Sequence, residues 1–157
     1  MERSVYNAWP VLDSYVVPNL KLVRELQRAV GRKWVLHAPE DLIVYEYDAT
    51  IERGLPEAVV LPDSAEQVAE VVRIARRYEA PVTARGAGTG LSGGAIPCDG
   101  GIVIVTSRMN HILEVDAENR IAVVEPGVVN LDVSAAVAGH GLYYAPDPSS
   151  QKACTLG

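Results

Sequence analysis

Cysteine is scarce in this chain: Cys98 and Cys154 are the only two in 157 residues. Two thiols so far apart do not make a disulfide framework, and without a CxxC pair they offer no metal-site spacing. They read as reduced thiols. Long apolar runs are also missing. None approaches the roughly 20 residues a membrane-spanning helix requires, and Met1–Asn7 lacks the apolar core of a signal peptide. Cations are outnumbered, 14 Lys and Arg against 20 Asp and Glu, for a net charge of −6. That balance argues against nucleic acid or an anionic membrane surface as a partner. The histidines are His37, His111 and His140. They share neither a metal-ligand spacing nor a Ser-His-Asp order, so surface or helix-end positions are expected and no metal. Asp63, Glu66, Glu114, Asp116 and Glu118 read as caps, turn residues and solvated faces, without a paired acid and base. There is no internal repeat and no low-complexity tract.

What is present suits a globular core, with 48% hydrophobic and 22% charged residues. Asn19 can cap a helix from about Leu20 to Val30, with Leu22, Val23, Leu26, Ala29 and Val30 on one face and Gly31 to end it. Ile43–Tyr45 and Tyr47–Ala49 are short segments, either strand or irregular. Ala58–Pro62 is a wholly apolar strand. Ser64 then opens a helix, with Gln67 completing a capping box. Val68, Val71, Val72, Ala75 and Tyr78 recur at helical spacing. Pro81–Thr83 begins a second strand, so residues 58–83 read as a βαβ crossover with a parallel pair. Gly101–Thr106 is a strand too apolar to have one wet face. Ile112–Val115 and Arg120–Glu125 flank a hairpin turn at Asp116–Asn119. Asn130 can cap a third helix, ended by Gly139 or Gly141. The uncharged end, Ala153–Gly157, reads as the middle of a glycine turn, and the sequence is expected to continue beyond it.

The most informative stretch is Ala84–Ala95, ARGAGTGLSGGA, whose twelve residues hold five glycines and three alanines. It has almost no side chains to bury. It offers backbone N–H donors and close approach to a ligand, which makes an anion receptor, with a nucleotide diphosphate the best-matched anion. A P-loop would need a lysine after its last glycine, and none is near. Gly88, Gly90 and Gly93 match the dinucleotide fingerprint literally, but a strand rather than a long helix follows. A loop with packing duties alone would need only one or two glycines.

Four motifs occur in order: Leu61–Val68 (LPDSAEQV), Ala84–Gly94, Val124–Val128 (VEPGV), and Pro146–Ser150 (PDPSS) leading to Cys154–Gly157 (CTLG). Together they resemble the FAD-binding domain of the vanillyl-alcohol oxidase/p-cresol methylhydroxylase superfamily, nearest the FAD subunit of glycolate oxidase and the D-lactate dehydrogenase group. The resemblance spans roughly residues 40–157. The family usually has proline where Ala84 stands.

The resemblance implies an α+β fold. A small parallel βαβ lobe would run from about residue 40 to 107, a mixed α/β lobe would follow from about 108, and the whole would be truncated. Residues 1–39 form an N-terminal helical segment and residues 40–157 the N-terminal part of an FAD-binding domain. The implied cofactor is FAD. Arg85, Gly86, Ala87, Gly88, Thr89, Gly90 and Ser92 would wrap its pyrophosphate. Pro148, Ser149, Ser150, Cys154, Thr155 and Gly157 would lie along the flavin and ribityl parts, although Cys154 also reads as a small packing residue. Arg85 also reads as a solvated loop cation, and Gly127 as a turn beside the cofactor or a plain strand end. The implied reaction is oxidation of a small 2-hydroxy acid, glycolate or D-lactate in type, to the 2-oxo acid. Partners would be that substrate and other subunits of an oxidase complex. Residence would be cytoplasmic, with any membrane attachment through partner subunits. Substrate groups and the catalytic base would lie beyond Gly157, so no catalytic residue is assigned. The alternative is a truncated, non-catalytic FAD-domain relative acting as a binding or assembly module.

Overall fold

The computed structural model describes residues 16–157; the signal-peptide reading of Met1–Asn7 lies outside the described residues. Helix α1 is Leu20–Val30, as the sequence predicts, with Asn19 Oδ1 accepting from Lys21 N at 3.1 Å and Gly31 ending it at φ +92°. Strand β1 (Val35–Leu36) and the short helix α2 (Pro39–Leu42) follow. Ile43–Tyr45 is a single tight turn of helix, not a strand. Then come β2 (Ala58–Val60), α3 (Ala65–Arg77) and β3 (Val82–Arg85). Strand β4 (Ile102–Val105) precedes a hairpin of β5 (Ile112–Asp116) and β6 (Ile121–Val124), and α4 (Asn130–Val137) closes the series.

Residues 58–83 do form strand, helix and strand, but the two strands are not neighbours. The sheet order is β1-β2-β4-β3, with β4 parallel to both β2 and β3 and β1 antiparallel at the far edge. The reason lies in the residues. All four positions of β4 are buried, so it needs a partner on each side and cover on each face. In β3 only Thr83 and Arg85 are buried while Val82 and Ala84 are exposed, a pattern an edge strand tolerates. The connection from β3 to β4 is therefore a parallel crossover, and the glycine loop fills it where a helix is usual.

Alternation along the central strands divides the core. Ala58, Val60, Ile102 and Ile104 face α1 and α3, packing with Leu22, Leu26, Val71 and Ile74. Val59, Val103 and Val105 face the other way, against Leu42 with Leu36, Tyr45 and Leu61. Helix α1 thus packs directly on α3 and the sheet. Ser64 caps α3, accepting from Gln67 N at 3.3 Å. The returning Gln67 side chain reaches Asp63 N at 3.0 Å, one residue before the usual capping-box target.

Glu25 of α1 ties the two helices together, accepting from Arg77 and from the Tyr78 hydroxyl. The Arg77 bond, then the Tyr78 bond, hold its carboxyl below the usual range. A carboxyl lowered on folding stabilises the fold above its unfolded value, and that contribution is lost as pH falls through the lowered folded value. Thermal unfolding from neutral pH to about pH 3 should therefore show the wild type losing its advantage over Glu25→Gln on the acid side. An advantage that stays constant with pH would contradict this.

In the second lobe Asp116 Oδ1 accepts from Asn119 N at 3.0 Å and forms the predicted hairpin turn. Asn130 does not cap α4. It lies inside the first turn, buried, and donates from Nδ2 to Pro146 O at 3.1 Å. The tail supplies the missing acceptors instead: Asn130 N donates to Cys154 O and Leu131 N to Gln151 O. Gly141, at φ +69°, ends the turn that follows α4. Residues 151–157 thus run back along 126–131, with Leu156 N bonded to Val128 O and Gly157 N to Pro126 O.

Candidate cofactor cleft

Strand β3 lies at the sheet edge and delivers Arg85 to the mouth of the glycine loop. Its side chain is not a solvated cation, being only 9% exposed. Nη1 donates to Tyr47 O at 2.7 Å and more weakly to Ala95 O at 3.4 Å, while Nη2 reaches Val44 O at 3.5 Å. The guanidinium clamps residues 44–47 to both ends of the glycine loop. Gly88 sits directly on it at φ +70°, where any Cβ would overlap Arg85 Nη2.

A cleft of about 630 Å³ opens beside this clamp. Arg85, Ala87, Gly88 and Thr89 form one wall, and Pro148, Ser149 and Ser150 form another. Two segments about sixty residues apart in sequence, both predicted as site, therefore converge. Gly86, Thr155 and Gly157 meet behind them, since a Cβ on Gly86 would overlap the Thr155 hydroxyl oxygen. Gly90 and Ser92 are exposed and lie outside the cleft lining. Cys154 is half-buried, also outside the lining, and its carbonyl serves the start of α4. Gly127 is buried against the 106–109 turn, donating to Met109 O at 2.7 Å.

The sequence reading missed Tyr47, Asp48, Ala49 and Leu91, which complete the lining. The available signal was Asp48-x-Thr50, an Asx-turn spacing: Asp48 Oδ1 accepts from Thr50 N at 2.8 Å. Bonding to Thr50, with help from Ala95 N–H and the Arg85 charge, holds the Asp48 carboxyl below the usual range. A separate apolar hollow of about 410 Å³ lies between the β5–β6 hairpin and α4 and holds none of the predicted site residues. Among the described residues no cluster of His, Cys, Asp and Glu could hold a metal ion. Among them, too, no helix is long and apolar enough to cross a membrane.

Against known families, residues 56–157 match the FAD binding domain. The chain belongs to that family. It is 50% identical over 142 residues to the glycolate oxidase subunit GlcD of Escherichia coli (strain K12), covering 90% of this chain and 28% of that protein. It is 40% identical over 118 residues to a D-lactate dehydrogenase of Archaeoglobus fulgidus, covering 72% of this chain and 26% of that one. The chain thus spans little more than a quarter of these relatives. Among solved structures it is similar to p-cresol methylhydroxylase, with a TM-score of 0.70 and 26% identity over 78% of this chain and 25% of that one. That places the FAD-binding domain in the vanillyl-alcohol oxidase/p-cresol methylhydroxylase superfamily, and its cofactor is FAD.

The cleft residues fit that cofactor. No backbone carbonyl of the described residues accepts from the N–H groups of Ala87 through Gly94, so this donor array is available to an acceptor-rich ligand. Gly88 brings the chain to the cleft in a conformation that leaves no room for a side chain. Thr89, Ser149 and Ser150 bring hydroxyls. Hydrogen bonds to a charged group are each worth about 1.5–3 kcal/mol, so a few N–H groups hold a diphosphate without a lysine.

Proposed function

We propose that this domain supplies the N-terminal part of the FAD site of an oxidoreductase acting on a small 2-hydroxy acid, glycolate or D-lactate in type, alongside other subunits of an oxidase complex. The observation that carries the reading is the convergence of the glycine loop and Pro148–Ser150 on one cleft, in a chain half identical to a glycolate oxidase subunit over most of its length. FAD, when bound, supplies the two-electron redox chemistry. The chain's own part is to bind and orient. Ala87, Gly88 and Thr89 present backbone N–H groups to the diphosphate, with Gly90 and Ser92 continuing the loop beyond the lining. Ser149 and Ser150 offer hydroxyls from the opposite wall. Gly86, Thr155 and Gly157 hold the walls together, and Cys154 fixes the tail to α4. Arg85 shapes the loop rather than reaching for the ligand.

The experiment uses a protein of the relatives' full length that carries this chain, loaded with FAD and mixed without oxygen with glycolate or D-lactate. Loss of the oxidised-flavin absorbance with either acid supports the reading. Unchanged absorbance with both, in a protein that still binds FAD, overturns the substrate class and favours the non-catalytic binding module.

A further inference from the structure

Asp48 is 6% exposed, yet its Oδ2 has no hydrogen-bond partner among the described residues. A buried carboxylate oxygen left unpaired is costly, and such atoms are rare in folded proteins. The residue lines the same cleft as Gly88 and Thr89. It also lies upstream of residues 56–157, the part that matches the family. We infer that Asp48 Oδ2 takes a hydrogen bond from a sugar hydroxyl of the bound dinucleotide, the carboxylate turning into the cleft to meet it. The inference rests on the FAD reading of the cleft.

The chemistry selects the hydroxyl. An ionised carboxylate repels a phosphate and requires a donor. Thr50 N occupies Oδ1, and the Thr50 hydroxyl and the Ala95 N–H lie near the carboxyl without closing a hydrogen bond on Oδ2, which leaves that oxygen for one further donor. One guanidinium reaches from Tyr47 O, the residue next to Asp48, to the underside of Gly88. The carboxylate and the N–H array that takes the diphosphate therefore line the same cleft. The donors nearest a diphosphate along a dinucleotide are the hydroxyls of its flanking sugars, the ribose on one side and the ribityl chain on the other. Base and flavin N–H groups lie further off.

The test is titration of a protein of the relatives' full length that carries this chain with FAD, ADP and FMN, by flavin fluorescence and calorimetry, in wild type, Asp48→Asn and Asp48→Ser. In Asp48→Asn the amide oxygen can keep the Thr50 bond while a donor replaces the acceptor facing the cleft. In Asp48→Ser the hydroxyl can keep the turn while nothing faces the cleft, so one variant serves if the other fails to fold. FAD binding should weaken about ten- to a hundredfold, the range of a hydrogen bond to a charged group. The same loss with ADP assigns the ribose, and the same loss with FMN assigns the ribityl chain. A loss with FAD that appears with neither fragment overturns the sugar assignment. Unchanged affinities with a lowered unfolding midpoint reduce Asp48 to a turn residue and overturn the inference while leaving FAD binding intact. Absence of FAD binding in wild type overturns the FAD reading and this inference together.

Discussion

Replacing Arg85 with methionine is expected to lower the unfolding free energy by about 3 kcal/mol and to weaken FAD binding more than tenfold. Chemical denaturation and flavin fluorescence titration measure the two effects. Methionine keeps much of the apolar stem's packing but removes the donors to Tyr47 O, Ala95 O and Val44 O. Hydrogen bonds to a charged group contribute about 1.5–3 kcal/mol, and carbonyls left unpaired in a half-buried site add their own penalty. The affinity falls because this one side chain holds two walls of the cleft: residues 44–47 on one side and the glycine loop on the other. Arg85→Lys should recover only part of the loss, since an ammonium cannot reproduce the planar fork that meets several carbonyls at once. If Arg85→Met kept full stability while losing FAD, the side chain would be a direct anion ligand and the clamp would be the wrong description.

Gly127→Ala is expected to cost about 3 kcal/mol, the upper part of the range for overpacking a filled interior. The midpoint of thermal unfolding should fall by roughly 6–12 °C for a chain of this size. Gly127 is buried. An added Cβ would overlap Thr106 O and stand 2.8 Å from Met109 O. Both obstacles are main-chain carbonyls of a turn closed by Met109 N on Thr106 O at 2.9 Å, so no flexible side chain can yield. Gly139→Ala serves as the control. A Cβ there meets nothing within 4 Å, and its backbone does not require glycine. Equal midpoints for the two variants would mean that the 106–109 turn can move aside.

Local rules carried the reading furthest where the deciding atoms are close in sequence. Asn19 and Gly31 bound α1 because caps act within one turn. The unbroken apolar character of Ile102–Val105 foretold a strand covered on both faces. The cleft itself became legible through the order of four motifs, which no single glycine pattern would have given. What stayed hidden depends on partners far along the chain. The position of β4 between β2 and β3 is a competition among strands for the buried centre. Arg85 sits where it does because the carbonyls of Val44 and Tyr47, about forty residues earlier, happen to face it. Asn130 carries a capping residue type, but the tail's carbonyls reach the helix start first and leave its amide for Pro146. Asp48 gave only a turn signal, and its free oxygen shows only once the cleft has walls.

The parallel crossover between β3 and β4 has a mechanical consequence. An ordinary crossover is a helix, which satisfies its own backbone and holds its shape alone. Here eight consecutive residues have given up that self-sufficiency, so the guest molecule must complete what the chain leaves open. The ends are pinned on adjoining strands, and the middle keeps its donors for whatever the cleft receives, like a hasp waiting for its lock.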